Sequence, residues 1–317
     1  MVKKYKIALV GFGSIGKRHL MNIDRVMGNR GIKYSVDLIR REKSVGVEKP
    51  FNEMVSKIYL EQESIPDDYD VIFITNPTHL HYDSIKRFGS KAKNLFIEKP
   101  VFDRTSVDLS TLPFTKGGVY YVACPLRYTE VIQYIKKTVD TSLIYCVRAI
   151  SSSYLPDWRP SIDYRKTYSS HYNQGGGVSL DLIHEWDYLT YLFGKPNKVY
   201  NLRGKFSGLE IDSDDLSIYI ARYENMLAEV HLDYFGRAPI RELQLFMRDK
   251  TLVVDILNSE IRFTNDNKVV RFNEDSNSCY LKEIDNFFEV LEGKKNNEND
   301  ICTALGTLET AMEGMVK

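Results

Sequence analysis

The sequence of 317 residues carries no excess of charge of either sign, since lysine plus arginine and aspartate plus glutamate each total 43. A balanced chain has no net basic field that would gather nucleic acid or an anionic membrane surface. No apolar run approaches the roughly 20 residues that span a bilayer. The opening residues Met-Val-Lys-Lys-Tyr-Lys lead into a strand and not into the apolar core of a signal peptide. We therefore expect a cytoplasmic protein without nucleic-acid or membrane partners.

Cysteine is scarce, with four residues scattered along the chain and no CxxC spacing. A chain of this length needs neither a disulfide framework nor a zinc ion to fold, so buried reduced thiols are expected. His79 and His81 are close in sequence, but side chains two residues apart diverge on a helix, and no HExxH spacing occurs. We predict no metal site.

No linker rich in proline, glycine or serine divides the chain, but the hydrophobic pattern changes near residue 123. Before that point, short apolar runs alternate with helix-like stretches, which is typical of βαβ units and a parallel sheet. After it, longer strands joined by tight turns predict a mostly antiparallel sheet, interrupted by helices at about 129–138 and 180–193 and followed by helices at about 280–292 and 300–316. These patterns predict two domains, over residues 1–122 and 123–317.

A glycine-rich loop follows the first predicted strand, Lys6–Val10, and opens a predicted helix. Its residues are Gly11, Phe12, Gly13, Ser14, Ile15 and Gly16. The three glycines suit a tight turn, close approach of a pyrophosphate, and close packing of helix on strand, while the helix N-terminus offers amides to phosphate. The motif predicts an α/β fold with an N-terminal Rossmann domain that binds a dinucleotide, followed by a C-terminal α+β domain with a large, mostly antiparallel open sheet.

The choice of nicotinamide cofactor depends on the end of the second strand, where two alignments compete. Asp37 lies 21 residues after Gly16 and could hold the ribose 2′-hydroxyl of NAD. The apolar run continues through Ile39, however, which places Arg40 and Arg41 at the strand end, where guanidinium groups suit a 2′-phosphate. We favour NADP, and NAD remains the alternative.

Two further strand ends carry polar residues toward the same edge of the predicted parallel sheet. Thr75, Asn76 and Pro77 end the strand beginning at Val71 and are expected to contact the cofactor. His81 is a further cofactor candidate that could face the ribose, with a simply structural histidine as the alternative. Glu98 and Lys99 end the strand Asn94–Ile97 and precede Pro100, which directs the exit of the chain. An amine near a nicotinamide's positive charge has a lowered pKa and can exchange a proton with a substrate oxygen.

The segment Gly175–His184 runs from a glycine-rich loop into a predicted helix in the second domain. Asp181 and His184 are three residues apart and would share one helical face, pointing into one cleft. Histidine has a pKa suited to accepting a hydroxyl proton near neutral pH, and a neighbouring carboxylate can orient its ring. A charged solvated face is the alternative interpretation.

Taken together, these motifs resemble the family of glucose-fructose oxidoreductase, inositol dehydrogenase and MocA over nearly the whole chain. The resemblance implies that Lys99, Asp181 and His184 form the catalytic set and that Glu98 and Lys99 line the nicotinamide pocket. It also implies a homodimer or homotetramer formed through the C-terminal sheet. The commoner family pattern separates the aspartate and histidine by four residues, so we rank Lys99 first, His184 second and Asp181 third.

A loop rich in aromatic residues and arginines precedes the second glycine segment and is a candidate substrate site. Aromatic stacking combined with charge-assisted hydrogen bonds suits a polar sugar bearing phosphate or carboxylate. The substrate candidates are Trp158, Arg159, Tyr164, Arg165 and Tyr168, joined by Arg127 and Tyr128 at a position where the family places an arginine near its active site. The loop also resembles a family branch associated with surface polysaccharides, which implies a nucleotide-activated or acidic amino sugar.

The sequence predicts an NAD(P)-dependent oxidoreductase that interconverts a hydroxyl and a ketone on a sugar or sugar nucleotide. Two alternatives stay open, because a fold does not by itself establish chemistry. One is a non-catalytic NAD(P)-binding regulator of the same fold. The other is a reductase of a non-sugar substrate such as an imine or a dihydrodiol.

Overall fold

In a computed structural model of the protein, residues 4–41 and 46–313 are described. The chain forms two compact units. The first contains the residues up to Ala123 together with Tyr280–Ala304, and the second contains Cys124–Cys279 and the residues from Leu305 onward.

The first unit is built around a six-stranded sheet in the order β3-β2-β1-β4-β5-β6, in which every neighbouring pair is parallel. Its elements up to Ala123 are β1 (Lys4–Val10), α1 (Ser14–Arg30), β2 (Lys33–Arg40), α2 (Phe51–Met54), β3 (Val55–Leu60), β4 (Tyr69–Ile74), α3 (His81–Phe88), β5 (Ala92–Ile97) and β6 (Tyr120–Val122). The predicted Rossmann domain is confirmed.

The middle of this sheet forms from continuous apolar runs because both of its faces are covered. Residues 7–10 of β1 and 71–74 of β4 have no exposed surface. At the edge, β3 leaves Ser56, Lys57 and Ile58 exposed, so its sequence lacks the apolar run that marks a buried strand. The prediction missed β3 for that reason.

The second unit is built around an eight-stranded sheet in the order β14-β13-β12-β11-β7-β10-β9-β8. Its elements up to Cys279 are α4 (Glu130–Thr138), β7 (Ile144–Tyr154), α5 (Val178–Asp181), α6 (His184–Phe193), β8 (Lys198–Gly204), β9 (Leu216–Arg222), β10 (Leu227–Asp233), β11 (Phe235–Met247), β12 (Thr251–Asp255), β13 (Glu260–Phe263) and β14 (Val269–Arg271). Strands β7 and β10 pair in parallel, and the other neighbouring strands of this sheet pair antiparallel. The predicted mostly antiparallel sheet is confirmed.

The chain ends in two helices, α7 (Ser278–Leu291) and α8 (Ile301–Met312). Most of α7 belongs to the first unit, where the ring of Phe287 packs against Phe73 and Phe96 at centroid distances of 5.8 and 5.2 Å. The Asn299 carbonyl accepts the Val122 amide at 2.9 Å, and its Nδ2 donates to the Val122 carbonyl at 2.8 Å. The sequence predicts one domain over residues 123–317, whereas Tyr280–Ala304 belong to the first unit.

The predicted single helix over 180–193 is wrong. Helix α5 ends at Asp181 and α6 begins at His184, because Leu182 leaves helical geometry at φ −96° and ψ 25°. Asp181 and His184 therefore do not share one continuous helical face.

Over residues 4–41 and 46–313, no helix is both long enough and apolar enough to cross a bilayer. The placement in the cytoplasm stays a prediction.

Candidate active site

The glycine loop lies between β1 and α1 and is shaped by close backbone packing. Gly11 has φ +89°, and a Cβ there would lie 2.8 Å from the Asn76 backbone nitrogen. A Cβ on Gly16 would lie 2.8 Å from the Gly11 carbonyl oxygen. Both positions require glycine, as the motif predicts.

Gly13 caps the N-terminus of α1 and faces open space, with no atom within 4 Å of a Cβ built there. No side chain of the described residues caps α1, and its first turn contains no acidic residue. The first amides of a 17-residue helix are thus available to an anion, and the helix dipole favours negative charge there. These residues fit the pyrophosphate of a dinucleotide.

Two other predicted cofactor contacts, Thr75 and Phe12, make contacts to protein groups at the glycine loop. Thr75 is 3% exposed, and its Oγ1 donates to the carbonyls of Val10 and Gly11 at 3.1 and 2.9 Å. The Phe12 ring packs edge-on against Phe51, at a centroid distance of 5.5 Å. Ser14 is exposed, and Ile15 is half-buried at the start of α1.

The structure shows which of the competing residues, Asp37 or the pair Arg40 and Arg41, stands at the carboxyl end of β2. Asp37 is buried within the strand, and its Oδ2 accepts the Tyr69 hydroxyl at 2.8 Å. Strand β2 ends at Arg40, and the exposed Arg41 follows. The arginines, and not Asp37, therefore stand at the carboxyl end of the strand.

The turn after β4 is held by a histidine beneath it. Asn76 is half-buried and donates from Nδ2 to Ser84 Oγ at 2.7 Å, while Pro77 is exposed. Of the two interpretations of His81, the structure favours the structural one over contact with the ribose, since the residue is 1% exposed. Its Nε2 lies 2.9 Å from the Asn76 carbonyl oxygen, and its Nδ1 lies 3.0 Å from the Pro100 carbonyl oxygen. His81 thus ties the turn after β4 to the turn after β5, and burial lowers its pKa.

Glu98 lies beneath Lys99 at the end of β5. Its Oε1 is 2.5 Å from Nε2 of the fully buried His19, and its Oε2 accepts the Lys99 amide at 3.2 Å. Burial would raise the pKa of Glu98, but the hydrogen bond and charge of His19, with the charge of Lys99, leave that pKa below its usual range. Lys99 is partly exposed, and its bond to Pro100 is cis. His19 is not predicted from the sequence, since a histidine within a helix carries no distinguishing signal.

In the second unit, the triple glycine segment is a packing site between loops. A Cβ on Gly176 would lie 2.2 Å from the Tyr168 carbonyl oxygen. Gly177 has φ +116°, and a Cβ there would lie 2.2 Å from Asp214 Oδ1. Asp214 Oδ2 also accepts the amide and the hydroxyl of Ser179 at 3.1 and 2.7 Å, which positions the start of α5.

Asp181 is 4% exposed and lies in a network with two tyrosines. The Tyr234 hydroxyl donates to its Oδ2 at 2.6 Å, and Tyr168 shares a side-chain hydrogen bond with it. Burial and the charge of Asp181 raise the pKa of Tyr168 and that of Tyr234. His184 begins α6 and is partly exposed. Tyr234 was missed because it stands at the end of an ordinary strand.

The candidate substrate residues of the second unit differ in their contacts: some lie against aromatic rings, and others bond to polar groups. Trp158 packs edge-on against Tyr234 at 5.2 Å, and the Arg159 guanidinium lies 5.5 Å from the centre of the Tyr168 ring. Arg165 is exposed and pairs with Asp163 and Glu210. Tyr128 and Tyr164 are half-buried, and the Tyr164 hydroxyl accepts the Glu210 amide at 3.2 Å.

Arg127 has a different environment from the exposed arginines. It is 4% exposed and forms two bonds to Asp187, from Nε to Oδ2 at 2.9 Å and from Nη2 to Oδ1 at 2.7 Å. Its guanidinium is thus bound within the second unit.

Both units match known protein families. Residues 5–111 match an oxidoreductase family with an NAD-binding Rossmann fold, and residues 132–253 match the GFO/IDH/MocA C-terminal domain. The chain is 28% identical over 236 residues to the uncharacterized oxidoreductase YrbE of Bacillus subtilis (strain 168), which covers 71% of this chain and 65% of that protein. It is 28% identical over 132 residues to inositol 2-dehydrogenase of Rhizobium meliloti (strain 1021), which covers 40% and 38%.

Several solved structures share the fold over almost their full length. UDP-N-acetylglucosamine 3-dehydrogenase GnnA from Acidithiobacillus ferrooxidans has a TM-score of 0.77 and 16% identity, covering 98% of this chain and 96% of its own. Levoglucosan dehydrogenase in complex with NADH and levoglucosan has a TM-score of 0.82 and 15% identity, with coverage of 98% and 96%. The WlbA dehydrogenase from Bordetella pertussis, in complex with NADH and UDP-GlcNAcA, has a TM-score of 0.76 and 17% identity, with 98% of each chain covered.

At these identities the structural likeness shows the fold, while the two family matches establish the relationship. They span more than half of the chain and fall one in each folded unit. The chain therefore belongs to the GFO/IDH/MocA family of oxidoreductases.

Proposed function

We propose that this protein is an NAD(P)-dependent dehydrogenase that interconverts a hydroxyl and a ketone on a sugar or sugar nucleotide. The observation that carries the proposal is the position of Lys99 in the first unit. It follows β5, at the sheet edge that also bears the glycine loop after β1, and its amide is held by the buried Glu98. Ligands of open α/β sheets bind at this edge.

When bound, the nicotinamide ring supplies the hydride acceptor in the oxidative direction and the hydride donor in the reverse. The residues of the chain handle the proton. As the C–H bond of a secondary alcohol gives up its hydride, the O–H proton passes to the Lys99 amine or the His184 imidazole, which leaves a ketone. We rank Lys99 first and His184 second. Asp181 ranks third because its carboxylate accepts the Tyr234 hydroxyl.

The cofactor is proposed to be NADP, with NAD as the alternative. Arg40 ends β2 and Arg41 follows it, while Asp37 is occupied by Tyr69. Two solved structures of the same fold contain NADH, which supports the alternative.

A sugar substrate is supported by the chemistry of the loop that carries Trp158, Arg159 and Tyr168, where the Arg159 guanidinium lies over the Tyr168 ring and Trp158 packs against Tyr234. The solved structures of this fold include complexes with levoglucosan and with UDP-GlcNAcA. We favour a nucleotide-activated or acidic amino sugar.

The first test is a fluorescence titration of the purified protein with NADPH and NADH, followed by an absorbance screen with sugar nucleotides and sugar acids. We expect Lys99→Met to lower turnover by about 10²- to 10⁴-fold and to preserve cofactor binding. Lys93→Met, on the exposed side of β5, is the matched control. Cofactor binding without turnover across the panel would favour the regulator, and absence of binding would refute the proposal.

We also propose that the protein forms a homodimer or homotetramer through the second sheet. Neighbouring strands β8 and β9 present exposed apolar pairs, Tyr200 opposite Ile220 and Leu202 opposite Ile218. Exposed apolar patches of this kind mark association sites. Light scattering tests the proposal: Leu202→Glu should reduce the measured mass to that of one chain, and a monomeric unsubstituted protein would refute it.

A further inference from the structure

A cavity of about 220 Å³ lies in the first unit, at the carboxyl ends of β2, β3 and β4. Its lining includes Arg41, Glu61, Asn76 and Arg87. A Cβ on Gly11 would lie 2.8 Å from the Asn76 backbone nitrogen, so the cavity adjoins the glycine loop. This position beside the loop and at the end of β2 is where the adenosine ribose of a dinucleotide binds in this type of sheet.

Glu61 lies between two arginines in this cavity. Its Oε2 is 3.9 Å from Arg41 Nε and 3.7 Å from Arg87 Nη1. Its backbone is fixed on both sides, because its amide donates to the Arg40 carbonyl at 2.9 Å and its carbonyl accepts a close hydrogen bond from Arg87. The Glu61 side chain is 19% exposed, against 64% and 49% for Arg41 and Arg87.

The charges of Glu61, Arg41 and Arg87 have opposite effects on the binding of NADP and of NAD. The two guanidinium groups attract a 2′-phosphate, and arginine suits planar, bidentate binding of phosphate. The Glu61 carboxylate partly neutralises both arginines and repels the phosphate. The same carboxylate can accept a hydrogen bond from a ribose 2′-hydroxyl, as an acidic residue does in NAD sites.

We propose that Glu61 is a specificity-determining residue, which limits the preference for NADP that Arg41 and Arg87 create and keeps NAD binding competitive. This inference rests on the proposed function. It accounts for a chain with arginines at the end of β2 in a fold whose solved structures include NADH complexes.

The test uses calorimetry with two adenosine probes, adenosine 2′,5′-bisphosphate and 5′-AMP, which differ by the 2′-phosphate alone. NADPH and NADH are then titrated by fluorescence. Glu61→Gln should shift the ratio of dissociation constants toward the 2′-phosphorylated partner by about tenfold, equivalent to about 1.4 kcal/mol. Substitution of both Arg41 and Arg87 by alanine should shift the ratio in the opposite direction, and this shift should shrink at high salt.

Glu63→Gln is the matched control, because Glu63 is exposed and lies two residues away with the same charge. A ratio that changes less than threefold in Glu61→Gln, or equally in the control, overturns the inference and leaves the proposed function intact. If the unsubstituted protein binds neither nicotinamide cofactor, the proposed function fails and this inference fails with it.

Discussion

Replacement of Arg127 by methionine tests whether this arginine serves the fold or the substrate. The ion pair of Arg127 with Asp187 is bidentate, and the side chains are only 5% and 11% exposed. Removal of one partner of a buried pair leaves an uncompensated charge and costs about 3 to 5 kcal/mol. For a unit of this size the loss lowers the melting temperature by about 6 to 20 °C, at about 2 to 4 °C per kcal/mol.

The assay is urea unfolding at pH 7, followed by circular dichroism, with thermal melting as a second measurement. Arg165→Met is the control, since Arg165 is 51% exposed in its pairs with Asp163 and Glu210 and solvent screens these pairs, so its loss should leave the free energy of unfolding nearly unchanged. A double change of Arg127 and Asp187 to apolar residues should recover much of the loss, because no unpaired charge remains. A free energy of unfolding for Arg127→Met that falls no further than that of the control would refute this reasoning and return Arg127 to the substrate candidates.

Three further predictions concern single residues. Burial lowers the pKa of His81 in the folded state, so below the ordinary histidine pKa of about 6.5 the unfolded chain binds more protons and stability falls with falling pH, by at most about 1.4 kcal/mol per unit. His81→Gln should flatten this slope in urea unfolding measured between pH 5 and 7, and an unchanged slope would contradict the assignment. Gly177→Ala should destabilise the protein by more than about 1 kcal/mol because of its positive φ and the close Asp214 carboxylate, whereas Gly208→Ala, with open space around its Cβ, should have little effect. If Asp181 acts by positioning, Asp181→Asn and Tyr234→Phe should lower kcat/KM by a similar factor, roughly 10- to 100-fold, while a far larger loss in Asp181→Asn would show direct proton transfer.

The central strands of the first unit could be predicted because a strand that is buried on both faces has an apolar local sequence. β1 and β4 are covered on both faces and therefore consist of unbroken apolar runs. In the edge strands β3 and β14 at least half of the side chains are exposed, so no apolar period distinguishes these strands from loops. Local sequence likewise predicts helix α7. It does not predict which sheet the helix packs on, because that follows from the contact of Phe287 with Phe73 and Phe96, which lie more than 190 residues earlier.

The break between α5 and α6 had no visible signal, because neither proline nor glycine stands at 182–183. The start of α5 is set instead by the contact of Gly177 and Ser179 with Asp214, a residue far along the chain. Tertiary contacts of this kind override helical propensity.

For the candidate site residues, the sequence predicts the position of the backbone better than the direction of the side chain. Position at a strand end predicts that a residue lies near the ligand edge, but it does not predict which way the side chain turns. Five polar side chains that the sequence offers as candidate site residues are largely buried and bonded to other groups of the protein: Asp37, His81, Glu98, Arg127 and Asp181. Burial of such groups is tolerated only with partners, and each of these five side chains has its partner within the protein. Lys99 and His184 are partly exposed, in contrast to these five, so we predict that substitution of either should lower turnover more than stability.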